Sequence, residues 1–256
     1  MKTVTLDQVK SCLQQLPIHE GDGLLVHSAL QFLGKPDPGP EIFFKALMNG
    51  IGQTGTLVVP TFNFDFCKGE PFNRAETPSD GMGVFAELVR RHPQACRTAH
   101  PMQSIAVIGH HHKDLCRRDT PGAFDDGSAF ERMLELDFKL LLLGAPVQSA
   151  SIVHYVEQRH PVPYRYWKSF PGIIVEGKSS REAEYRMFVR DEAIQPELVL
   201  APIEEVLREE ELWQEQPLNY GRIAVCSLLD FVSVTARLLR KDPWALILNP
   251  PRGEES

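Results

Sequence analysis

Lys139–Gly144 reads KLLLLG, and a few residues later Ser151–Arg159 reads SIVHYVEQR. The first stretch is a short unbroken apolar run ended by glycine, the pattern of a strand covered on both faces. The second reads as a helix, so a buried strand feeds directly into a helix. The same pairing recurs outward in both directions. GLLVHS (Gly23–Ser28), TLVVPT (Thr56–Thr61) and SIAVIG (Ser104–Gly109) read as further buried strands, and Glu41–Ile51, Val84–Arg91 and Ser128–Leu136 as helices. Alternation of this kind specifies an α/β layer structure. Within Gly172–Arg190, GIIVE and EYRMFVR flank the polar turn GKSSRE and predict a β-hairpin. A helix-strand-helix passage is expected over 202–240.

Two irregular stretches read as functional loops: 63–80, with Phe64, Phe66 and Phe72, and 159–172, rich in proline and aromatics. The alternative reading is that these rings pin the loops onto the core. The last residues, Pro251–Ser256, are expected to fray.

With 256 residues and an apolar fraction of 43%, the chain suits one domain over residues 1–256 that folds without staples. Five scattered cysteines without a Cys-x-x-Cys pair argue against a disulfide framework or a zinc ribbon. Neither a signal-peptide core nor an apolar run of 18 residues is present, so a soluble cytoplasmic protein with no membrane partner is expected. A net charge of −7 repels phosphate backbones and argues against nucleic acid.

Two tempting motifs fail on context. His110, His111 and His112 are adjacent and cannot all face one metal, so a solvated loop is expected and no metal is assigned. GMGVFA at 81–86 has the outline of a dinucleotide fingerprint, but AETPSD before it is no strand. Its glycines more simply open the helix Val84–Arg91 behind Ser79 or Asp80 as cap.

Three sets of residues could carry chemistry. His154 and Glu157 lie three apart and share a helix face, where the carboxylate would orient the imidazole and strengthen it as a general base. Helical His/Glu pairs are also common on solvated faces. His100 and Ser104 flank the entrance to the strand SIAVIG, with Pro101 fixing the turn. His27 and Ser28 end the first strand. Open α/β sheets place their sites at such strand ends.

In register, VHSAL, GTLVVPTF, MGVFAELVR, RTAHPMQSIAVIG, LLLLG and SIVHYVE with VPYR resemble the aminoglycoside 3-N-acetyltransferase family over roughly residues 20–245. The resemblance implies a layered α/β/α fold with a central mixed sheet and an additional hairpin. It also implies transfer of an acetyl group from acetyl-CoA to a primary amine of an aminoglycoside or related amino sugar. His154 and Glu157 match the family's H-x-x-E, with histidine as base and glutamate as its support. His100 and Ser104 match H-P-x-x-S. His27, Ser28, Ala29 and Leu30 match H-S-S-L near the thioester, and Arg97 matches the basic residue that steers CoA phosphates. A homodimer is the fold-level expectation.

The chain departs from that pattern where Ala29 replaces serine, where Ala129 replaces proline and where QSAS precedes the key histidine. Asp65, Glu70, Asp125 and Asp126 are candidates to meet a polycationic acceptor, though ordinary loop carboxylates are the favoured reading. An acyltransferase of polysaccharide or secondary-metabolite synthesis, a serine hydrolase and a noncatalytic CoA-binding relative stand as alternatives.

Overall fold

The structure, a computed structural model, describes residues 2–250, so the expected fraying of Pro251–Ser256 lies outside the described residues. In chain order the elements are β1 (Thr3–Thr5), α1 (Leu6–Leu13), β2 (Gly23–Ser28), β3 (Lys35–Asp37), α2 (Glu41–Ile51), β4 (Thr56–Pro60), β5 (Phe72–Asn73) and α3 (Gly83–Arg90). They continue with β6 (Cys96–Arg97), β7 (Ile105–Gly109), α4 (His112–Cys116), α5 (Ala129–Glu135), β8 (Lys139–Leu143) and α6 (Val153–Arg159). Last come β9 (Arg165–Glu176), β10 (Ser179–Arg190), α7 (Ala201–Glu209), β11 (Gln214–Leu218), β12 (Gly221–Ser227) and α8 (Leu228–Lys241).

Seven strands form the central sheet in the order β11-β12-β8-β2-β4-β7-β6. β2 pairs parallel with both β4 and β8, while β7 and β12 join antiparallel, so the sheet is mixed. The apolar runs are buried on both sides because alternate residues feed two separate cores. Leu25, Val58, Val107, Leu140 and Leu142 pack with residues of α5, α6, α7 and α8. Leu24, Val26, Leu57, Val59, Leu141 and Leu143 pack with residues of α1, α2 and α3. The result is the α/β/α sandwich with an added hairpin. Among the described residues no helix is long and apolar enough to cross a membrane.

Several expectations need correction. The hairpin is longer than its alternating segments: β9 begins at Arg165, and twelve cross-strand pairs run from Ser179↔Glu176 to Arg190↔Arg165. Much of the stretch read as the second functional loop is therefore strand. In the first loop, Phe66 and Phe72 are buried against Phe170, Ile174 and Tyr185, so these rings fasten the hairpin to the body. Two strands, β11 and β12, stand where one was expected between the last helices. The capping-box helix α1, built on Thr5 and Gln8, went unread.

Three smaller points also differ. Met82, not Ser79 or Asp80, occupies the N-cap of α3, without a side-chain bond. Ser79 instead donates its N–H and hydroxyl to Glu87, at 2.7 and 2.8 Å. His112 opens α4 rather than extending a loop. Finally, Cys96 and Cys116 form a disulfide that ties β6 to α4. No Cys-x-x-Cys spacing announces it, because the antiparallel pairing of β6 and β7 is what brings the two segments together.

Candidate active site

Because β4 leaves β2 on one side and β8 returns on the other, the carboxyl end of β2 is where the sheet's connections diverge, and a crevice opens there. His27 and Ser28 end β2 at that crevice. Alternation puts His27 on the same sheet face as Leu25, beneath α6. Its Nε2 lies 3.4 Å from both the backbone N and the hydroxyl of Ser151, just ahead of α6. Burial, aided by the charge His154 would carry, pushes the His27 pKa down to about 3. His27 is therefore a neutral polar contact at physiological pH.

His154, second residue of α6, lines the same crevice. Its Nδ1 is 2.6 Å from Oε2 of Glu157, one turn along the helix. Glu157 has no solvent exposure, and Nε of Arg165, from the start of β9, lies 2.9 Å from the same oxygen. A guanidinium nitrogen of Arg165 also approaches Nδ1 at 3.3 Å. The shorter, charge-assisted contact with the carboxylate decides the tautomer: Nδ1–H donates to Glu157 and Nε2 keeps its lone pair. The Phe124 ring meets the imidazole edge-on, with centroids 5.8 Å apart.

The electrostatics of this cluster favour a neutral imidazole beside a buried carboxylate anion. Burial lowers the His154 pKa, the hydrogen bond to Glu157 opposes it, and the charges of Arg165 and Arg190 reinforce it, leaving the group below its ordinary value. For Glu157 burial acts upward, but the contacts with His154 and Arg165 outweigh it and keep the carboxylate ionised.

The crevice holds about 260 Å³. Val26, Pro60, Phe62, Met82, Ala86 and Val153 supply its apolar wall, and His27, Ser28, Ser151, His154 and Arg190 its polar one. Gly81 and Gly83 carry the chain past Ser28 with φ of +69° and +82°, a left-handed path that side chains disfavour. A Cβ at Gly83 would stand 3.7 Å from the Ser28 carbonyl oxygen, an ordinary contact, and one at Gly81 would meet nothing within 4 Å, so it is the left-handed backbone rather than lack of space that calls for glycine in GMG.

The structure brings His27, Ser28, His154 and Glu157 together but places the other predicted residues elsewhere. His100 is buried outside the crevice, accepting at Nδ1 from the Gln103 N–H at 3.0 Å and packing edge-on against Tyr185. Burial pushes its pKa down to about 4. Ser104 has no exposure, and its hydroxyl sits between Arg97 Nε at 2.9 Å and the Thr61 carbonyl at 3.1 Å. The Arg97 guanidinium turns inward, where it also donates to the Thr61 carbonyl at 2.7 Å and to the Thr77 carbonyl. Ala29 spends its N–H on the Leu143 carbonyl at 2.9 Å, and Leu30 is buried in the following turn.

Of the acidic candidates, Asp65 pairs with Lys68, Asp125 with Arg186, and Asp126 with Arg159; neither these nor Glu70 lines the crevice. Sequence reading missed Arg165, Ser151 and Arg190. The alternation of the hairpin, extended seven residues back from Gly172, would have paired Arg165 with Arg190 and pointed to both.

Residues 25–240 match the family model described as aminoglycoside 3-N-acetyltransferase. An aminoglycoside N(3)-acetyltransferase III of Salmonella sp is 30% identical over 185 residues, which cover 65% of this chain and 64% of that protein. The chain thus spans less than two thirds of that relative's length. An aminoglycoside N(3)-acetyltransferase IV of Salmonella sp is 28% identical over 243 residues, covering 94% of this chain and 89% of the relative. The solved structure described as AAC-IIIb binary with CoASH superposes with a TM-score of 0.84 at 18% identity, over 94% of this chain and 97% of the other, which shows a common fold. The family match runs from within β2 into α8 and so takes in both sides of the crevice: this chain belongs to the aminoglycoside 3-N-acetyltransferase family.

Proposed function

We propose that this chain is an acetyl-CoA-dependent N-acetyltransferase that acetylates a primary amine of an amino sugar, the class to which aminoglycosides belong. The observation that carries the reading is the free Nε2 of His154, facing a crevice while Nδ1 is committed to a buried carboxylate. Family membership and the names of the relatives, one of them bound to CoASH, support the donor and the acceptor class.

An aliphatic amine is mostly ammonium at neutral pH and has no lone pair for attack. A histidine with a lowered pKa stands ready in neutral form to take that proton. The amine nitrogen then bonds to the thioester carbon, the carbon–sulfur bond breaks, and the departing thiolate recovers a proton. In this reading Ser28, which lines the crevice, donates its hydroxyl to the charge developing on the thioester oxygen. A narrow apolar wall suits an uncharged pantetheine arm. Ser104 does not serve as a hydrolytic nucleophile in this reading, since its hydroxyl is sealed under Arg97 and Thr61.

The test is release of free thiol from acetyl-CoA with and without glucosamine as amine. Release that needs the amine is the expected result. Equal release with water alone would replace transfer by thioester hydrolysis.

A further inference from the structure

Arg165 and Arg190 are cross-strand partners at the open end of the hairpin, and their fates differ. Arg165 is buried against Glu157. Arg190 is exposed, lines the crevice that His154 faces, and has no side-chain hydrogen bond or ion pair among the described residues. No Asp or Glu stands among the residues lining that crevice. Of the acids on nearby loops, Asp125 is committed to Arg186 and Gln158, Asp126 to Arg159 and Asp65 to Lys68, while Asp80, Asp191 and Glu192 adjoin lining residues without lining the crevice themselves.

The crevice therefore presents a free cation and no carboxylate. An acceptor with several ammonium groups would bring like charge against Arg190 with no carboxylate in the crevice lining to offset it. An acceptor with one amine and one anionic group would place its amine at His154 and satisfy the guanidinium, whose planar fork matches phosphate or carboxylate.

We infer that Arg190 is a specificity residue selecting a primary amine carried on a small anionic molecule, such as an amino sugar bearing a phosphate or carboxylate, over a polycation. The inference rests on the acyl-transfer reading above and names the acceptor class for that same site.

The experiment compares wild type and Arg190→Gln with acetyl-CoA and four acceptors: glucosamine 6-phosphate, glucosaminuronic acid, glucosamine and kanamycin. Thiol release gives kcat/KM, and calorimetry in the presence of CoA gives binding without turnover. Wild type is expected to favour at least one acidic acceptor over glucosamine about tenfold or more, the stronger one telling phosphate from carboxylate. In Arg190→Gln that preference should vanish through a higher acceptor KM, not a higher acetyl-CoA KM.

Preference for kanamycin, acids no better than glucosamine, no binding of any acceptor, or a defect confined to the acetyl-CoA KM would each overturn the inference. The two readings fail separately. Arg190-dependent binding of an acidic acceptor without thiol release keeps the inference and removes acyl transfer. Turnover of glucosamine or kanamycin with no gain for the acids does the reverse.

Discussion

Nδ1 of His154 lies 2.6 Å from Oε2 of Glu157, and the carboxylate has no exposure while the imidazole keeps 28% of its side-chain surface. One partner is thus sealed in the protein and the other meets the crevice. Arg165 closes the cluster from the hairpin and keeps the buried anion from standing unpaired.

Glu157→Gln tests that closure. The substitution removes the charge that faces both His154 and Arg165, whose side chain is only 6% exposed. A buried guanidinium left without its anion should cost about 3 kcal/mol or more. Chemical denaturation is expected to show that loss, together with a fall in kcat smaller than the one from removing the imidazole. A variant as stable as wild type would mean that Arg165 does not depend on Glu157.

The pH profile follows from the form His154 must take. Burial, with Arg165 and Arg190, lowers its pKa below the ordinary 6.5, and only the neutral ring can accept a proton. On the proposed mechanism activity is expected to be full above that ordinary value and lost as pH falls through the lowered one. kcat/KM measured from pH 4.5 to 8.5 should show a single acid limb with its midpoint below 6.5. A midpoint above 7 would assign the limb to another group.

His100 gives a separate signature in stability. Burial holds it neutral down to about pH 4, whereas in the unfolded chain it takes up a proton near 6.5. Stability is then fully present above 6.5 and drains away as pH drops toward 4, by roughly 3 kcal/mol for this one group. His100→Asn keeps an acceptor for the Gln103 N–H and cannot titrate. Unfolding free energies at pH 7.5 and 4.5 should differ less in the variant than in wild type. Equal differences in both proteins would show that His100 titrates normally.

Arg97 donates to Thr61, Ser104 and Thr77 while only 5% exposed. A lysine has no planar fork to reach these acceptors together. Arg97→Lys is expected to lose about 2 kcal/mol of stability, with the acetyl-CoA KM changing less than about threefold. A large rise in that KM with stability intact would return Arg97 to the role of a phosphate-steering residue.

The layer architecture was legible because each buried strand is a short apolar run and each covering helix is amphipathic. KLLLLG could hardly be anything else, and Gly23–Ser28 and Glu41–Ile51 appear in the structure with the same ends. His154 and Glu157 were legible because three residues along a helix is a fixed geometry. His100, Ser104 and Arg97 fared differently, since loop position says nothing of whether a side chain turns inward. Arg97 folds back onto Thr61, 36 residues earlier in the chain, and no local spacing encodes such a contact. Arg165 and Arg190 needed the register of a hairpin whose first strand contains two prolines' worth of loop signal in its approach, at Pro161 and Pro163. Those prolines concealed where the pairing begins.

Thiol release from acetyl-CoA, with a primary-amine acceptor, by wild type and by His154→Ala of matched thermal stability puts the role of Nε2 to trial. A fall in kcat of about a hundredfold or more, with the acid limb of the pH profile gone, is the expected result. Turnover within a few-fold of wild type and an unchanged acid limb would mean that another group takes the proton.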